Sequence, residues 1–564
     1  MIINLDNLNA EQNKIFNDIT SSVKYDYNNL INNLSEDHLK NIDWIVSSIP
    51  SRNKYQSKLF IRCSQIRLIK YYYKSEKNFT VLTSDRPLSK VLKKNFKNIK
   101  IKCTENIFKY LSRKLKPFKQ FINSFYLLFL RYLGRKNYKS YNLINKEITL
   151  IDTFIINNSS GDEGSIKDGK YIDRYYPGML DYINSKEKKK IFFLPTLIGF
   201  KNPIKTFKEI RSCDYNFIIP DDFLQFSDYI FIILFPFRNL KLKLKNISFD
   251  NCNLNPLLNE ERISNCFDFI NLLGLLYYRF SRRFSEKGIK VRLLIDWYEN
   301  QVIDRGLIKG FHDFFKNVPV YGYQGYIISK NLHIYTQPNY SEYYSNCVPD
   351  KVLVTGKGLV KNIKEFCELV NVDVAPGFRF RKVHNRLSNK KTNNEFSVLI
   401  GLPISIPDSK LILERLINIY KKNKFNFKIK FYIKPHPTFS DKEMKNLVDD
   451  NSILNFKFLK GDFHKILNKV NLIVSNASSI CLEALTKRVP VIIIAPKTGI
   501  IQNPIPSDVS NNIWKISYND NELIEHIKFF YKFKPEENFS SFDFVKNNYF
   551  EKVSKKGVLK FLNL

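Results

Sequence analysis

The chain has 564 residues, with 90 Lys and Arg against 54 Asp and Glu, so its formal net charge is +36. Its 44% hydrophobic content is ordinary for a globular protein and excludes a disordered or collagen-like chain. The length favours roughly two to four domains.

The first 20 residues contain no basic stretch followed by an apolar stretch, so no export signal is expected. Residues 1–40 are predicted to form an N-terminal helical segment. The eight cysteines contain no CxxC pair, which excludes a dense disulfide scaffold and a zinc-finger spacing. We therefore expect a cytoplasmic protein in a reducing compartment.

From residue 44 onward, short β-branched or aromatic runs alternate with amphipathic helical stretches. This alternation is typical of a parallel sheet covered by helices on both faces. It predicts a Rossmann-like domain over residues 41–385. The candidate strands are 44–47, 79–83, 148–154, 190–194, 216–220, 291–297, 318–321 and 351–355.

Two segments depart from this alternation. Residues 107–138 and 228–245 interleave large apolar side chains with Lys and Arg. Each is interpreted as a helix packed into a large domain with a solvated basic face, as a segment lying on anionic lipid, or as a contact for single-stranded nucleic acid. The apolar run 229–237 contains Pro236 and is about half the length of a membrane span, so no transmembrane segment is expected.

A polar stretch over residues 386–395 lacks apolar periodicity and is predicted to be a linker. Beyond it, candidate strands lie at 396–400, 428–433, 456–459, 472–475, 491–494 and 513–516, with helices at 411–421 and from 479. A second Rossmann-like domain is therefore predicted over residues 396–564. The fold class is α/β with two doubly wound domains, and ligands of such sheets bind at the carboxyl ends of the strands.

The first candidate binding motif is Lys434-Pro435-His436-Pro437, directly after a predicted strand. The two prolines restrict the backbone around His436 and disfavour a helix there. The imidazole is therefore expected at the carboxyl end of the strand, where α/β proteins bind their ligands. The alternative is a loop histidine that only packs.

The second motif joins the strand at 472–475 to a helix through a turn of small residues that includes Ser478 and Ser479. Hydroxyls and backbone N–H groups at the start of a helix bind anions, and the helix dipole adds to the attraction. A plain serine N-cap is the alternative. Glu483 stands four residues after Ser479, whereas a capping box needs three, so Glu483 is free to hold ribose hydroxyls beside a phosphate.

These motifs resemble the donor domain of GT-B glycosyltransferases over residues 395–535. They are particularly similar to bacterial enzymes that use CMP-activated acidic sugars, namely CMP-sialic acid sialyltransferases and the Kdo transferases of capsule and lipopolysaccharide assembly. CDP-glycerol glycerophosphotransferases share a related pattern and stay an alternative. The resemblance implies a two-domain GT-B fold and a donor site formed by Gly401, Pro403, Lys434, His436, Pro437, Ser478, Ser479 and Glu483.

The resemblance also implies a catalytic carboxylate in the first domain. Sialyltransferases carry it in a motif of two acidic residues and a glycine, and Asp162-Glu163-Gly164 matches those letters. The surrounding polar stretch reads as a flexible loop, in which such a match arises easily. For that reason this motif ranks below the carboxylates at strand ends.

Glu299 follows a predicted strand and the aromatic pair Trp297 and Tyr298. An aromatic surrounding raises a carboxylate pKa, as a general base or a nucleophile requires. Glu299 is the first candidate, Asp296 the second and Asp152 the third, with helix-capping acids as the alternative. Whether transfer inverts or retains configuration stays open.

Gln324, after the next strand, is predicted to face the cleft, and Glu342 to help close it. No DxD sequence stands at a convincing strand end. The resemblance implies that no divalent metal is needed, because basic groups can neutralise the departing phosphate.

The sequence thus predicts a GT-B glycosyltransferase that transfers Kdo or another acidic sugar to a surface polysaccharide or glycolipid. No cofactor is expected besides a nucleotide-sugar co-substrate, which is expected to be CMP-linked. The charge permits peripheral contact with the inner face of an anionic membrane. A nucleic-acid-binding protein would explain the charge and bind with steep salt dependence, but it leaves both motifs unexplained, so no nucleic-acid partner is expected.

Overall fold

A computed structural model describes residues 1–76, 78–143, 146–157, 163–329, 331–385, 395–422, 425–436, 439–476, 479–497 and 499–564. Asp162, Pro437, Ser478 and linker residues 386–394 lie outside these ranges, so the predictions about them stay untested. No helix within the described ranges is long and apolar enough to cross a membrane.

The first part of the chain carries strands and helices in alternation. Its strands are β1 (Ile2–Asn4), β2 (Thr80–Thr83), β3 (Lys100–Cys103), β4 (Glu147–Ile156), β5 (Ile166–Lys167), β6 (Lys170–Tyr171), β7 (Ile191–Ile198), β8 (Ser248–Phe249), β9 (Cys252–Asn253), β10 (Lys290–Asp296), β11 (Val320–Gln324), β12 (Lys351–Val354) and β13 (Val372–Val374). Its helices are α1 (Ala10–Ser35), α2 (Ile42–Ile45), α3 (Ser48–Ser51), α4 (Leu59–Ser75), α5 (Arg86–Asn95), α6 (Ile107–Gly134), α7 (Ser185–Lys188), α8 (Pro203–Arg211), α9 (Phe226–Ile233), α10 (Phe235–Lys241), α11 (Asn255–Asn265), α12 (Phe269–Glu286), α13 (Val302–Phe314), α14 (Tyr340–Tyr344) and α15 (Val360–Ile363).

The second part carries the strands β14 (Phe396–Gly401), β15 (Ile429–Lys434), β16 (Lys457–Phe458), β17 (Leu472–Ser475), β18 (Val491–Ile494) and β19 (Trp514–Ser517). Its helices are α16 (Ile406–Lys422), α17 (Asp441–Lys445), α18 (Phe463–Leu467), α19 (Ile480–Thr486), α20 (Asp520–Tyr531), α21 (Phe539–Tyr549) and α22 (Lys555–Phe561).

The N-terminal segment is not purely helical. Strand β1 pairs in parallel with β2, which pairs with β3, so these strands form a small sheet of their own. Helix α1 then begins after Asn9, whose side chain forms a capping box with Gln12.

The strand predicted at 44–47 is wrong. Residues 42–45 form α2, because the Asn41 side chain accepts hydrogen bonds from the backbone N–H groups of Asp43 and Trp44 and so starts a helical turn. Trp44 is buried there, which explains the apolar run without a strand.

The first large sheet has the order β13-β12-β11-β10-β4-β7, and its strands are parallel. The strand order reverses between β4 and β10, which makes this the switch point of the sheet. The strand predicted at 216–220 is reduced to a single bridge between Phe217 and Phe193. The turn that begins at Pro220 explains why it is so short.

The second large sheet has the order β16-β15-β14-β17-β18-β19, which is the 3-2-1-4-5-6 order of a Rossmann fold. Its switch point lies between β14 and β17. There the Ser475 hydroxyl donates to the Gly401 carbonyl oxygen at 2.7 Å. Two doubly wound α/β units therefore occur in one chain, which confirms the predicted GT-B fold class.

The end of the chain returns to the first sheet. The Gly377 backbone N–H donates to the Glu551 carbonyl oxygen at 2.9 Å, and α22 contacts the 3-10 turn at Met179–Tyr182. The domain limits at 40, 385 and 395 stay predictions, and the last residues pack against the first large sheet rather than the second.

Candidate functional site

Two adjoining cavities of about 520 and about 380 Å³ lie where the two large sheets face each other. Glu163, Arg174, Lys434, His436 and Gly461 line both, so we treat the cavities as one cleft. Lys434 ends β15, and Glu163 and Arg174 lie in the connection that follows β4. The cleft is therefore at the carboxyl edges of both sheets, as the fold predicts.

The cleft gathers positive charge from both halves of the chain. Its cations are Arg174, Arg379, Arg381, Lys382, Lys434 and Lys460, and its acids are Glu163, Asp441, Asp462 and Glu483. Burial and the neighbouring Arg174 guanidinium lower the pKa of Arg379. This crowding of like charges would be relieved by a bound anion.

His436 lies two residues after the end of β15, in the cleft, as the sequence predicts. Burial first, and then the positive charges of Arg174 and Lys434, lower the pKa of His436 to about 4. The imidazole is therefore neutral at pH 7. Lys434 Nζ donates to the Gly461 carbonyl oxygen at 3.0 Å, which fixes the ammonium group at the wall of the cleft.

Ser479 and Glu483 lie together at the start of α19 and line the cleft. The Ser479 hydroxyl donates to Glu483 Oε1 at 3.2 Å, and His464 Nε2 lies 3.0 Å from Glu483 Oε2. The Ser479 side chain does not cap the helix. Glu483 is thus positioned as a hydrogen-bond acceptor at the cleft, where it can meet ligand hydroxyls.

Gly401 lies next to Ile480, which lines the cleft beside Ser479, and Pro403 follows two residues later. A Cβ on Gly401 would lie 2.5 Å from Ile480 Cδ1, and Ile480 lines the cleft, so only glycine fits here without displacing that wall. Pro403 is buried, and its carbonyl oxygen accepts from the Ser409 hydroxyl at 2.9 Å. Neither residue lines the two cavities in the part of the chain that the structure describes.

Four carboxylates gather beside the first sheet: Asp152, Asp296, Glu299 and Asp304. Asp152 and Asp296 are only 2% and 1% exposed. Neither carboxylate oxygen of Asp296 has a hydrogen-bond partner among the described residues. Burial, followed by the charge of Asp304, raises the pKa of both aspartates well above the usual range.

Asp152 and Asp296 are therefore enclosed in the protein, which does not fit the predicted direct contact with an acceptor. The strands end where expected, but the aromatic side chains after β10 cover the carboxylates instead of leaving them open. Trp297, Tyr298 and Tyr176 are all buried there.

Glu299 is half-buried above this group. Trp297 Nε1 donates to Glu299 Oε1 at 3.0 Å, and Gln301 Nε2 donates to Glu299 Oε2 at 2.5 Å. Burial raises the pKa of Glu299, while these two hydrogen bonds lower it. The Arg379 guanidinium lines the cleft and lies 5.8 Å from the Trp297 ring centre, whereas Glu299 lines neither cavity. The positive charge of Arg379 also lowers the pKa of Glu299.

Glu163 is exposed and lines both cavities beside His436. Glu163 belongs to the Asp162-Glu163-Gly164 motif, which ranks below the strand-end carboxylates on sequence grounds because its surroundings resemble a flexible loop. The backbone explains its placement: Gly164 has φ +90°, donates to the Ile172 carbonyl oxygen at 2.7 Å and accepts from the Ile156 N–H at 2.8 Å. These bonds tie the motif to the carboxyl end of β4.

Gln324 and Glu342 do not lie in the cleft, which corrects the prediction for both. Gln324 is buried, and its amide donates to the Thr336 carbonyl oxygen at 2.8 Å. Glu342 is buried between two guanidinium groups, 2.7 Å from Arg52 and 2.6 Å from Arg305. Both side chains complete polar networks inside the protein.

Sequence reasoning missed several cleft residues: Arg174, Arg379, Arg381, Lys382 and His464. In a chain with 90 Lys and Arg, a single arginine in a connection has no distinguishing pattern. Their common position in connections after strand ends is the one signal that marks them.

No protein-family profile and no curated protein matches this sequence. Solved structures resemble it at low identity. They include S. aureus MnaA with UDP (9% identity, 74% of this chain and 97% of that one, TM-score 0.42) and Methanocaldococcus jannaschii UDP-GlcNAc 2-epimerase (10%, 74% and 99%, 0.39). The wall teichoic acid polymerase TagF follows (11%, 80% and 96%, 0.37). At these values the likeness carries no argument about substrate.

Glu342→Gln should destabilise the protein by ~3–5 kcal/mol, because it leaves two buried guanidinium groups without a carboxylate. Urea denaturation measures the loss, and Glu368→Gln, at an exposed position nearby, is the control. Unchanged stability together with lost turnover would instead return Glu342 to the functional site.

His436 should take up a proton when a phosphate binds, because an anion beside an imidazole raises the pKa of about 4 that burial and two cations impose. Nucleotide affinity should then rise as the pH falls through the pKa of the bound state. NMR of histidine-labelled protein between pH 5 and pH 8 checks this, with CMP added.

The His436 ring should shift on titration only with CMP bound, while His526, whose Nδ1 lies 2.9 Å from the Ser517 hydroxyl, should not respond. His436→Gln assigns the signal. A ring that is indifferent to CMP at every pH would remove His436 from the binding site.

Proposed function

We propose that this chain is a glycosyltransferase that binds a CMP-linked acidic sugar, such as Kdo, in the cleft and transfers it to a surface polysaccharide or glycolipid. The observation that supports this most strongly is the convergence of cations from both halves on the cleft that holds His436. A phosphate is the ligand that such a site suits best.

Transfer breaks the bond between the anomeric carbon and the phosphate oxygen of the donor and forms a bond from an acceptor hydroxyl oxygen to that carbon. The phosphate leaves with one more negative charge than it carried as a diester. Arg174, Lys434 and Arg379 stand where they can stabilise that charge. Glu483, held by Ser479 and His464, is the proposed ribose contact.

The acceptor hydroxyl must lose a proton as it attacks. Glu163 is the first-half carboxylate that lines both cavities, so we infer that it is the general base. Glu299, the first candidate from the sequence, is held by hydrogen bonds from Trp297 and Gln301 and lines neither cavity. In this account Glu299 positions the arginine and does not touch the acceptor.

A thermal-shift panel of CMP, CDP, UMP, UDP and GDP tests the donor. CMP or CDP should give the largest shift, because the proposed donor is CMP-linked. A ligand at about 100 times its Kd stabilises the folded protein by ~2.7 kcal/mol, which is enough to measure. Lys434→Gln should reduce that shift, whereas Lys457→Gln, at an exposed position outside the cleft, should not. A preference for UDP or GDP would refute the CMP donor. No shift with any of the nucleotides would refute the proposal that the cleft binds a nucleotide.

Product analysis separates the proposal from the glycerophosphotransferase alternative. A glycosyltransferase releases CMP and adds no phosphorus to the acceptor. A CDP-glycerol enzyme releases CMP as well, but it leaves a phosphodiester in the product, which ³¹P NMR detects.

Glu163→Gln should lower turnover by roughly 10²–10⁴-fold while donor binding survives, because glutamine keeps the shape but cannot accept the proton. Glu299→Gln should have a smaller effect and weaken donor binding through Arg379. Steady-state kinetics and the thermal shift with CMP measure both variants. Loss of turnover in Glu299→Gln alone, with donor binding intact, would restore Glu299 as the base.

A further inference from the structure

Helix α6 carries a long apolar surface that the rest of the protein leaves uncovered. Its residues are 48–80% exposed and recur every three or four positions, which places them on one side of the helix. We call this set the apolar stripe: Phe108, Leu111, Leu115, Phe118, Ile122, Phe125, Tyr126, Phe129 and Leu133.

The opposite side of α6 packs on the protein through its four buried residues, Ser124, Leu128, Arg131 and Gly134. Ser124 donates to the Phe267 carbonyl oxygen at 3.0 Å, and the buried Arg131 lies 2.6 Å from Asp221. Gly134 permits contact with α8, since a Cβ there would lie 2.9 Å from the Phe207 ring. An amphipathic helix of a globular protein ordinarily buries its apolar side, whereas most of the large apolar residues of α6 are exposed.

A second exposed apolar surface adjoins the stripe on α9 and α10. Its residues are Phe226, Ile230, Leu234, Phe237 and Leu240, at 42–60% exposure. The Phe226 ring centre lies 5.7 Å from that of Tyr132 near the end of α6, so the two surfaces meet. An apolar surface of this extent is rare on a protein that has no partner.

The charged residues of α6 itself are all positive. Helix α6 contains Lys109, Arg113, Lys114, Lys116, Lys119 and Arg131, and no Asp or Glu. Lys114 and Lys119 are exposed at the stripe, and Lys241 and Lys243 are exposed at the end of α10 and just after it, whereas Lys245 is paired with Glu36 and Asp37. The apolar stripe with this basic border matches an anionic lipid surface, in which acyl chains accept the stripe and headgroups attract the lysines.

We propose that α6, α9 and α10 form a docking surface for the face of an anionic membrane. A second copy of the chain fits less well, because pairing two stripes would bring lysine borders of like charge together. At 1.5 Å per residue, α6 is about 42 Å long, which suits a helix lying along a bilayer rather than crossing it. This proposal does not depend on the donor or the reaction proposed above.

Flotation of the full chain with vesicles tests the proposal. The protein should float with phosphatidylcholine vesicles that contain phosphatidylglycerol, and poorly with phosphatidylcholine alone. The double variant Phe118→Asp/Phe125→Asp should bind at least about tenfold more weakly, because both side chains are exposed members of the stripe. The control Ile404→Asp/Leu454→Asp changes equally exposed apolar residues elsewhere and should float like the unchanged protein.

A charge variant tests the basic border separately. Lys114→Gln/Lys119→Gln should lose binding to anionic vesicles, whereas Lys93→Gln/Lys94→Gln, at exposed positions on α5, should not. Thermal melting confirms that each variant folds, which its exposed positions lead us to expect. If the Phe118→Asp/Phe125→Asp variant floats with anionic vesicles as well as the unchanged protein does, the proposal is wrong.

Two further outcomes would overturn it. A dimer in light scattering that Phe118→Asp/Phe125→Asp dissociates would assign the stripe to a second copy. Binding of single-stranded oligonucleotides that the same variant abolishes, without flotation, would assign it to nucleic acid.

Discussion

Parallel pairing is the constraint on which the functional architecture depends. Every strand pair in the two large sheets is parallel, so the carboxyl ends of the strands in each sheet meet at one edge. Connections leaving those edges are the segments that can reach a shared cleft. Arg174, Arg379, His436 and Ser479 come from such connections and Lys434 from the end of β15, although they are spread over some 300 residues of sequence.

Hydrogen bonds outside the sheets connect the first half of the chain to the second. The Asn13 and Asn17 side chains of α1 hydrogen-bond to backbone groups of Pro496, Gly499 and Ile501 in the second half, at 2.7–3.2 Å. Both asparagines are buried, so breaking the hydrogen bonds of their side-chain amides is costly. The N-terminal segment therefore links the small sheet to the second half of the chain.

The sequence predicts the repeated strands well because each is a short, strongly β-branched run bounded by turns. The run at 472–475 is an example, since predicted and observed limits agree. The strand prediction for residues 44–47 was wrong because Asn41, the residue before the helix, caps it and starts a helical turn. Glu342 was misplaced for a different reason: its partner Arg52 lies 290 residues away, and no local pattern reveals that pairing. The position of Glu163 at the cleft was not predicted because backbone hydrogen bonds of Gly164 tie its loop to β4, and side-chain patterns do not show such bonds.

The central claim is that the cleft binds the phosphate of a nucleotide between the two halves. A crystal structure of the protein with CMP tests it most directly. The account predicts the phosphate within hydrogen-bond distance of the His436 imidazole and of Arg174 or Arg379, with the ribose near Glu483. CMP bound elsewhere, for example in the surface cavity lined by Arg415, Lys497 and Tyr518, with the cleft unchanged, would contradict it.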